Sequence, residues 1–329
     1  MGNINVAIKG MEFAVPKTVF SNDDMMKIVE TNDEWITQRT GIKTRHIASE
    51  NENAVTLAIE AVKKILSSTN TSADTIDLII SATSAPQRPY PSVACEIQNA
   101  IDAKNAAAFD LTAACTGFLY ALQTANAFIK SSLYKKVLVI TSDTTSKFLD
   151  WEDRASCVLF GDGASATILE KTDDKDDISI INLYAEGSSK ELISLNVEST
   201  LCPLHENIED TNNHRIFMNG KEVYKYVMKK IPAIIKQTLE EKGLTMNDID
   251  YFIPHQANLR MIEALSERLE IPSEKVLTNI EKYGNMSATS IPSVIAENIK
   301  NGKIKKDSKL LLSAFGAGMT SGCAIINVR

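Results

Sequence analysis

Cys115 stands in Ala113-Ala-Cys-Thr-Gly, just ahead of an apolar run whose spacing predicts an amphipathic helix from roughly Gly117 to Ser131. A sulfur there meets unpaired backbone N–H groups and the positive end of the helix dipole, which favours thiolate. A free thiol of pKa about 8.5 is only a few per cent ionised at neutral pH, so such a setting turns a weak nucleophile into one able to take an acyl group. On its own, a cysteine in an apolar stretch reads equally as a small core residue. His255 follows directly on an expected buried strand in Ile253-Pro-His-Gln-Ala-Asn, where strand ends of α/β folds carry sites. Asn285, in Gly284-Asn-Met-Ser, reads alone as a helix cap or turn residue. Together the three make chemical sense. The cysteine carries the acyl group, and imidazole and carboxamide N–H donors stabilise a thioester enolate without a base or metal. The glycine turn Phe315-Gly-Ala-Gly offers a backbone N–H to the oxyanion of acyl transfer, or is simply a tight turn.

Two related halves are needed to bring these residues together. Asp74-Thr-Ile-Asp-Leu-Ile-Ile reads like Asn247-Asp-Ile-Asp-Tyr-Phe-Ile, and Phe160-Gly-Asp-Gly-Ala-Ser-Ala-Thr-Ile resembles Phe315-Gly-Ala-Gly-Met-Thr-Ser-Gly-Cys. Each half also carries a small-residue turn opening a helix, with Cys115 and Asn285 at near-equivalent places facing one another across an approximate twofold axis. Short apolar runs alternating with helical patterns predict a layered α/β architecture with mixed sheets, divided near Thr172 into halves 1–172 and 173–329. The acidic stretch Thr172 to Asp177 fits a surface turn, and the polar stretch 203–214 a mobile excursion.

The remaining composition narrows the function. The chain has 329 residues, 44% hydrophobic, enough for sizeable cores. No apolar run suits a membrane span and the start lacks a secretory pattern, so a cytoplasmic location is expected. Five cysteines without Cys-x-x-Cys pairs support neither a disulfide framework nor a zinc site. Cys95, Cys157 and Cys323 read as core residues and Cys202 as incidental, while His46, His205 and His214 read as surface. A net charge of -7 argues against nucleic acid or anionic membrane as partner. Lys221, Lys225 and Lys229 nevertheless share one helix face, a local basic patch that Arg260 extends and that would steer an acidic protein, or a solvated face and no more.

These stretches, with Asn32-Asp-Glu-Trp-Ile-Thr-Gln-Arg-Thr-Gly-Ile and Asp153-Arg, resemble the thiolase superfamily, and most closely the β-ketoacyl-acyl carrier protein synthase III family. The resemblance covers nearly the whole chain. It implies a thiolase-like fold: two duplicated halves forming a layered α-β-α-β-α body with mixed five-stranded sheets. It also implies a ping-pong acyltransferase of fatty-acid biosynthesis with no permanently bound cofactor and no metal. Cys115 takes the acyl group of acyl-coenzyme A, then malonyl-acyl carrier protein loses carbon dioxide with help from His255 and Asn285. Trp35 and Arg154 would sandwich the coenzyme adenine, with Arg39, Gly220 and Asn258 as further coenzyme contacts. Cys115 and Ala317 would supply oxyanion N–H groups, and Lys221, Lys225 and Arg260 would dock the carrier protein. The family is homodimeric, and Tyr90 matches an aromatic placed at the floor of the partner's acyl pocket. Thr116, Ser321 and the Ser84-Ala-Pro-Gln-Arg-Pro lead depart from the family's pattern and are expected around that pocket, which puts an acetyl primer in doubt. Alternatives are a specialised relative transferring the acyl group to oxygen or nitrogen or using a non-acetyl primer, a Cys-His thioester hydrolase, and a non-catalytic acyl-coenzyme A binder.

Overall fold

The computed structural model describes residues 4–195 and 215–329. Cys202, His205, His214 and the polar stretch 203–214 lie outside the described residues.

The N-terminal half opens with β1 (Asn5–Ala14), a ribbon of β2 (Thr18–Ser21) and β3 (Thr44–Ile47), and, within that ribbon's connection, α1 (Asn22–Met25) and α2 (Asp33–Thr40). It continues through α3 (Ala54–Ser68), β4 (Leu78–Ala82), α4 (Val93–Ala100), β5 (Ala107–Leu111), α5 (Gly117–Lys130), β6 (Lys136–Asp143), α6 (Arg154–Cys157) and β7 (Gly163–Thr172). The second half runs β8 (Ile178–Ala185), β9 (Ile193–Leu195), β10 (Ile216–Met218), α7 (Gly220–Glu241), β11 (Tyr251–Pro254), α8 (Leu259–Arg268), α9 (Ile280–Tyr283), α10 (Ser290–Lys300), β12 (Lys309–Gly316) and β13 (Thr320–Asn327).

Two mixed sheets result, in the orders β1-β7-β6-β4-β5 and β11-β12-β13-β8. The first has the expected five strands. The second has four among the described residues, and the place of a fifth is taken by Val276, which makes one parallel bridge to Phe252. The chain leaves the ladder there because the Asn279 backbone N–H bonds the Gln256 side-chain oxygen (3.2 Å).

Burial explains the layering. Phe118, Leu119 and Leu122 of α5 pack with Ile291, Val294 and Ile295 of α10 in one core between the sheets. Helices α3 and α4 cover the outer face of the first sheet, and α7 and α8 that of the second. Helix α3 shows why such segments are helical: Ala54, Leu57, Ala58, Ala61, Val62 and Ile65 form one buried stripe, and Asn53 caps its start in a capping box with Thr56. Each such leucine or isoleucine contributes about 1.5–3 kcal/mol by leaving water.

The internal repeat has a constant spacing. Ile76 and Ile249 are 173 residues apart, and so are Ala114 (φ 47°) and Ser287 (φ 50°), which open the turns before α5 and α10. That register pairs Cys115 with Ala288 rather than with Asn285, which lies three positions earlier and corresponds to Thr112. Cys115 and Asn285 thus occupy near-equivalent places, three positions apart on the repeated turn. The helix starts also cross over: Thr289 Oγ1 bonds Thr141 Oγ1 of the first sheet (2.8 Å), and Thr116 Oγ1 bonds Thr320 Oγ1 of the second (2.6 Å).

Other expectations change. Cys157 and Cys323 are buried, but Cys95 is exposed, because α4 buries Val93, Ala94 and Ile97 and leaves position 95 on its other face. His46 is half-buried, with Nδ1 2.6 Å from Pro16 O and its ring 5.6 Å from that of Tyr283. Asp177 is buried and paired with Arg329 (2.7 Å), so the acidic stretch ends inside the body.

Candidate active site

A single cavity of about 950 Å³ has Cys115, His255, Asn285 and Ala317 on its wall. Its lining runs from exposed basic residues, Arg39, Lys221, Lys225 and Arg260, to the buried Phe160, His255, Asn285 and Phe315. Thr116 and Ser321 are buried but do not line it, contrary to expectation; of the departing residues, Ser84 and Ala85 do.

Cys115 sits in the 3-10 turn Ala114–Thr116 that runs into α5. The end of β12 presses on this turn, and only a glycine at 316 allows it. Burial pushes the Cys115 thiol up to about 12, with the Ser287 hydroxyl pulling it partly back and the Asp143 carboxyl adding to the rise. Desolvation thus opposes the helix N-terminus and holds the resting sulfur as a thiol, against the thiolate expected from the helix alone. Asp143 lies behind the turn, accepting from Ser84 N (2.8 Å), and burial raises its own pKa.

His255 leaves β11 with its backbone N–H donated to Ser313 O (2.8 Å). Its Nδ1 lies 2.7 Å from Ser290 Oγ, and its ring meets Phe315 edge-on at 5.3 Å. Burial lowers its pKa to about 3, so the imidazole is neutral at physiological pH. Asn285 is clamped by backbone bonds from its N–H to Leu159 O (2.9 Å) and from Gly161 N to its O (3.0 Å). Its Oδ1 accepts from Ser287 N (2.9 Å), which leaves the NH2 group as the free donor. Gly284 before it has φ 65°, and a β-carbon there would meet Leu159 O at 2.9 Å. Ala114 and Ser287, both left-handed without being glycine, open these two turns at some cost in backbone strain.

Two neutral N–H donors and a thiol around one cavity suit acyl transfer followed by enolate stabilisation. Sequence comparison gives this geometry its relatives. Residues 109–187 match the family described as 3-oxoacyl-[acyl-carrier-protein (ACP)] synthase III, and residues 239–328 its C-terminal part. A β-ketoacyl-[acyl-carrier-protein] synthase III of Aquifex aeolicus is 46% identical over 97% of this chain and 98% of its own. The chain belongs to the β-ketoacyl-[acyl-carrier-protein] synthase III family. The family's thiolase-like fold is confirmed by a crystal structure of the Aquifex aeolicus 3-oxoacyl-[acyl-carrier-protein] synthase III, with TM-score 0.91 and 44% identity over 98% of this chain and 100% of that one. A synthase III structure from Thermus thermophilus matches with TM-score 0.91 and 36% identity over 98% and 99% of the two chains. The chain is therefore a condensing acyltransferase of the thiolase superfamily.

Within this family member, the residues expected to touch coenzyme gather at the exposed end. Trp35, Arg39, Gly220 and Asn258 all line the cavity. Asn258 caps α8 and donates from Nδ2 to Arg39 O (3.0 Å), tying the two elements together. The Arg154 guanidinium lies over the Trp35 ring at 4.6 Å and donates to Glu30 O (3.0 Å). A ring entering between them needs about 7 Å, two stacking distances of roughly 3.5 Å, so the slot is closed. Lys229 does not line the cavity, and Tyr90 is 83% exposed, away from this chain's own site. Sequence reasoning missed Ser287 and Ser290, whose hydroxyls bear on Cys115 and His255, and the β9-β10 ribbon, which contributes Ile193, Leu195, Ile216 and Met218 to the wall. Only their places next to Asn285 and the start of α10 signalled the two serines.

Proposed function

We propose that this chain initiates fatty-acid synthesis by condensing an acyl-coenzyme A primer with malonyl-acyl carrier protein through an acyl group on Cys115. Cys115 Sγ attacks the thioester carbonyl, the bond to the coenzyme sulfur breaks, and the departing coenzyme takes up the thiol proton. The carbonyl oxygen is held meanwhile by the N–H groups of Cys115 and Ala317. Malonyl-acyl carrier protein then loses its carboxylate as carbon dioxide, and the bonding pair becomes an enolate whose oxygen accepts from the imidazole of His255 and the carboxamide of Asn285. The enolate carbon attacks the acyl-cysteine, and collapse expels the Cys115 thiolate, which is reprotonated from water, and the β-ketoacyl product.

The observation that carries this reading is that the two side chains sharing the cavity wall with Cys115, His255 and Asn285, are both neutral donors. A buried imidazole near pKa 3 and an oriented amide are poor at deprotonating water but well suited to a developing enolate. That counts against a hydrolase, and the relatives do not favour transfer to oxygen or nitrogen. Trp35, Arg39, Arg154, Gly220 and Asn258 serve the coenzyme. Lys221, Lys225 and Arg260 receive the acidic carrier, and Tyr90 reaches the acyl pocket of a second copy in a homodimer.

Intact mass after incubation with a panel of acyl-coenzyme A thioesters tests the reading. An adduct absent in Cys115→Ala supports it and ranks primers; no adduct at any chain length overturns it.

A further inference from the structure

Ser290, the first residue of α10, contacts His255 rather than the cavity itself. Its Oγ is 2.7 Å from His255 Nδ1 and also accepts from Gln256 N at 3.3 Å. A serine hydroxyl has one proton. With the Gln256 amide fixed as a donor to Oγ, and His255 Nδ1 the one acceptor in contact among the described residues, that proton points at the imidazole. Gln256 is itself held rigidly: its side-chain nitrogen donates to Pro254 O (2.7 Å) and its oxygen accepts from Asn279 N (3.2 Å). Ser290 is 1% exposed and His255 3%, so bulk water does not compete for these contacts.

We infer that Ser290 is a positioning residue that fixes His255 as the tautomer with bare Nδ1 and protonated Nε2, turning its N–H to the thioester. This rests on His255 acting as a donor in the proposed condensation. The opposite tautomer would give the Nδ1 proton to Ser290 and offer the substrate a lone pair, which repels an enolate oxygen. The placement at the N-terminus of α10 works in the same direction, since the positive end of a helix disfavours imidazolium and keeps a donor that is neutral. The two halves thereby use equivalent helix starts for opposite ends: that of α5 supports negative charge on Cys115, and that of α10 withholds positive charge from His255.

Nitrogen NMR of the full-length protein labelled with 15N-histidine reads the tautomer directly, with His255→Gln identifying the signals. The expected result is a protonated Nε2 and a bare, hydrogen-bonded Nδ1. A protonated Nδ1 in the unaltered protein overturns the inference whatever the variants do. In Ser290→Ala the signal should move toward a mixture of tautomers. Decarboxylation should then fall roughly tenfold more than acyl transfer, about what one neutral hydrogen bond can hold, and Ser290→Thr should restore both. Equal losses in the two half-reactions with an unchanged tautomer would assign Ser290 a packing role only. Because the tautomer is read without turnover, failure of the acyl adduct to form would sink the proposed reaction and leave this result standing.

Discussion

A β-carbon at Gly316 would lie 2.7 Å from the Cys115 backbone nitrogen and 3.1 Å from Ala114 Cβ, so the last residue of β12 touches the turn that carries Cys115. Backbone contact leaves nothing flexible to give way. Gly316→Ala should shift the turn, lower the rate of adduct formation on the order of 100-fold, and reduce stability by about 1–3 kcal/mol. Gly187→Ala, where a β-carbon meets nothing within 4 Å, should be silent in both. Adduct kinetics by mass and thermal unfolding check this pair.

His255 has a pKa pulled down to about 3 by burial. The decarboxylating half-reaction should therefore show no histidine limb between pH 5 and 8, in contrast to a base of ordinary pKa about 6.5. For stability the sign is fixed: the unfolded chain binds a proton that the folded one refuses, so the contribution is complete above about 6.5 and is lost as pH falls toward 3. Denaturant titrations across that range should show the fall, and His255→Gln should flatten it. His255→Ala should slow decarboxylation by roughly 100-fold or more while sparing acyl transfer.

The stack of Arg154 on Trp35, 4.6 Å from guanidinium to ring, is too close to hold an adenine, so the proposed coenzyme contact requires it to open. Coenzyme A should accordingly change Trp35 fluorescence, measured in a Trp151→Phe background since the chain has two tryptophans. Arg154→Ala should raise KM for acyl-coenzyme A several-fold and leave kcat nearly unchanged, the pattern of a group that binds remote substrate equally in ground and transition state.

Arg45 is fully buried and donates to Asn22 Oδ1 (2.8 Å) and Val158 O (2.8 Å). Burial lowers its pKa to about 10, so it remains a cation. Would-be β-carbons at Gly161 and Gly284 each lie 3.3 Å from Arg45 Cβ, so it also backs the loop carrying Asn285. Arg45→Ala leaves a cavity and orphaned acceptors and should destabilise the protein by roughly 3 kcal/mol or more, seen in chemical denaturation.

The layered architecture and the catalytic candidates were legible in the sequence because duplication repeats one pattern of strand, glycine turn and helix. The near-equivalence of Cys115 and Asn285 was legible from their distances to Ile76 and Ile249, whereas the left-handed φ values of Ala114 and Ser287 that shape the two turns are not announced by residue type. Among the described residues the fifth place of the second sheet is a single bridge from Val276, because a side chain, that of Gln256, takes the ladder's place as partner of Asn279. Cys95 was misplaced because periodicity in an eight-residue helix gives too few turns to fix which face is buried. The state of Cys115 required the three-dimensional depth of the cavity, where desolvation outweighs the helix end.

The most direct test mixes the pre-acylated enzyme with malonyl-acyl carrier protein labelled in its free carboxylate, following carbon dioxide, enzyme mass and product together in a single turnover. One labelled carbon dioxide is expected for each acyl group leaving Cys115, with a β-ketoacyl carrier protein as product. Loss of the acyl group as free acid, without carbon dioxide, would contradict it.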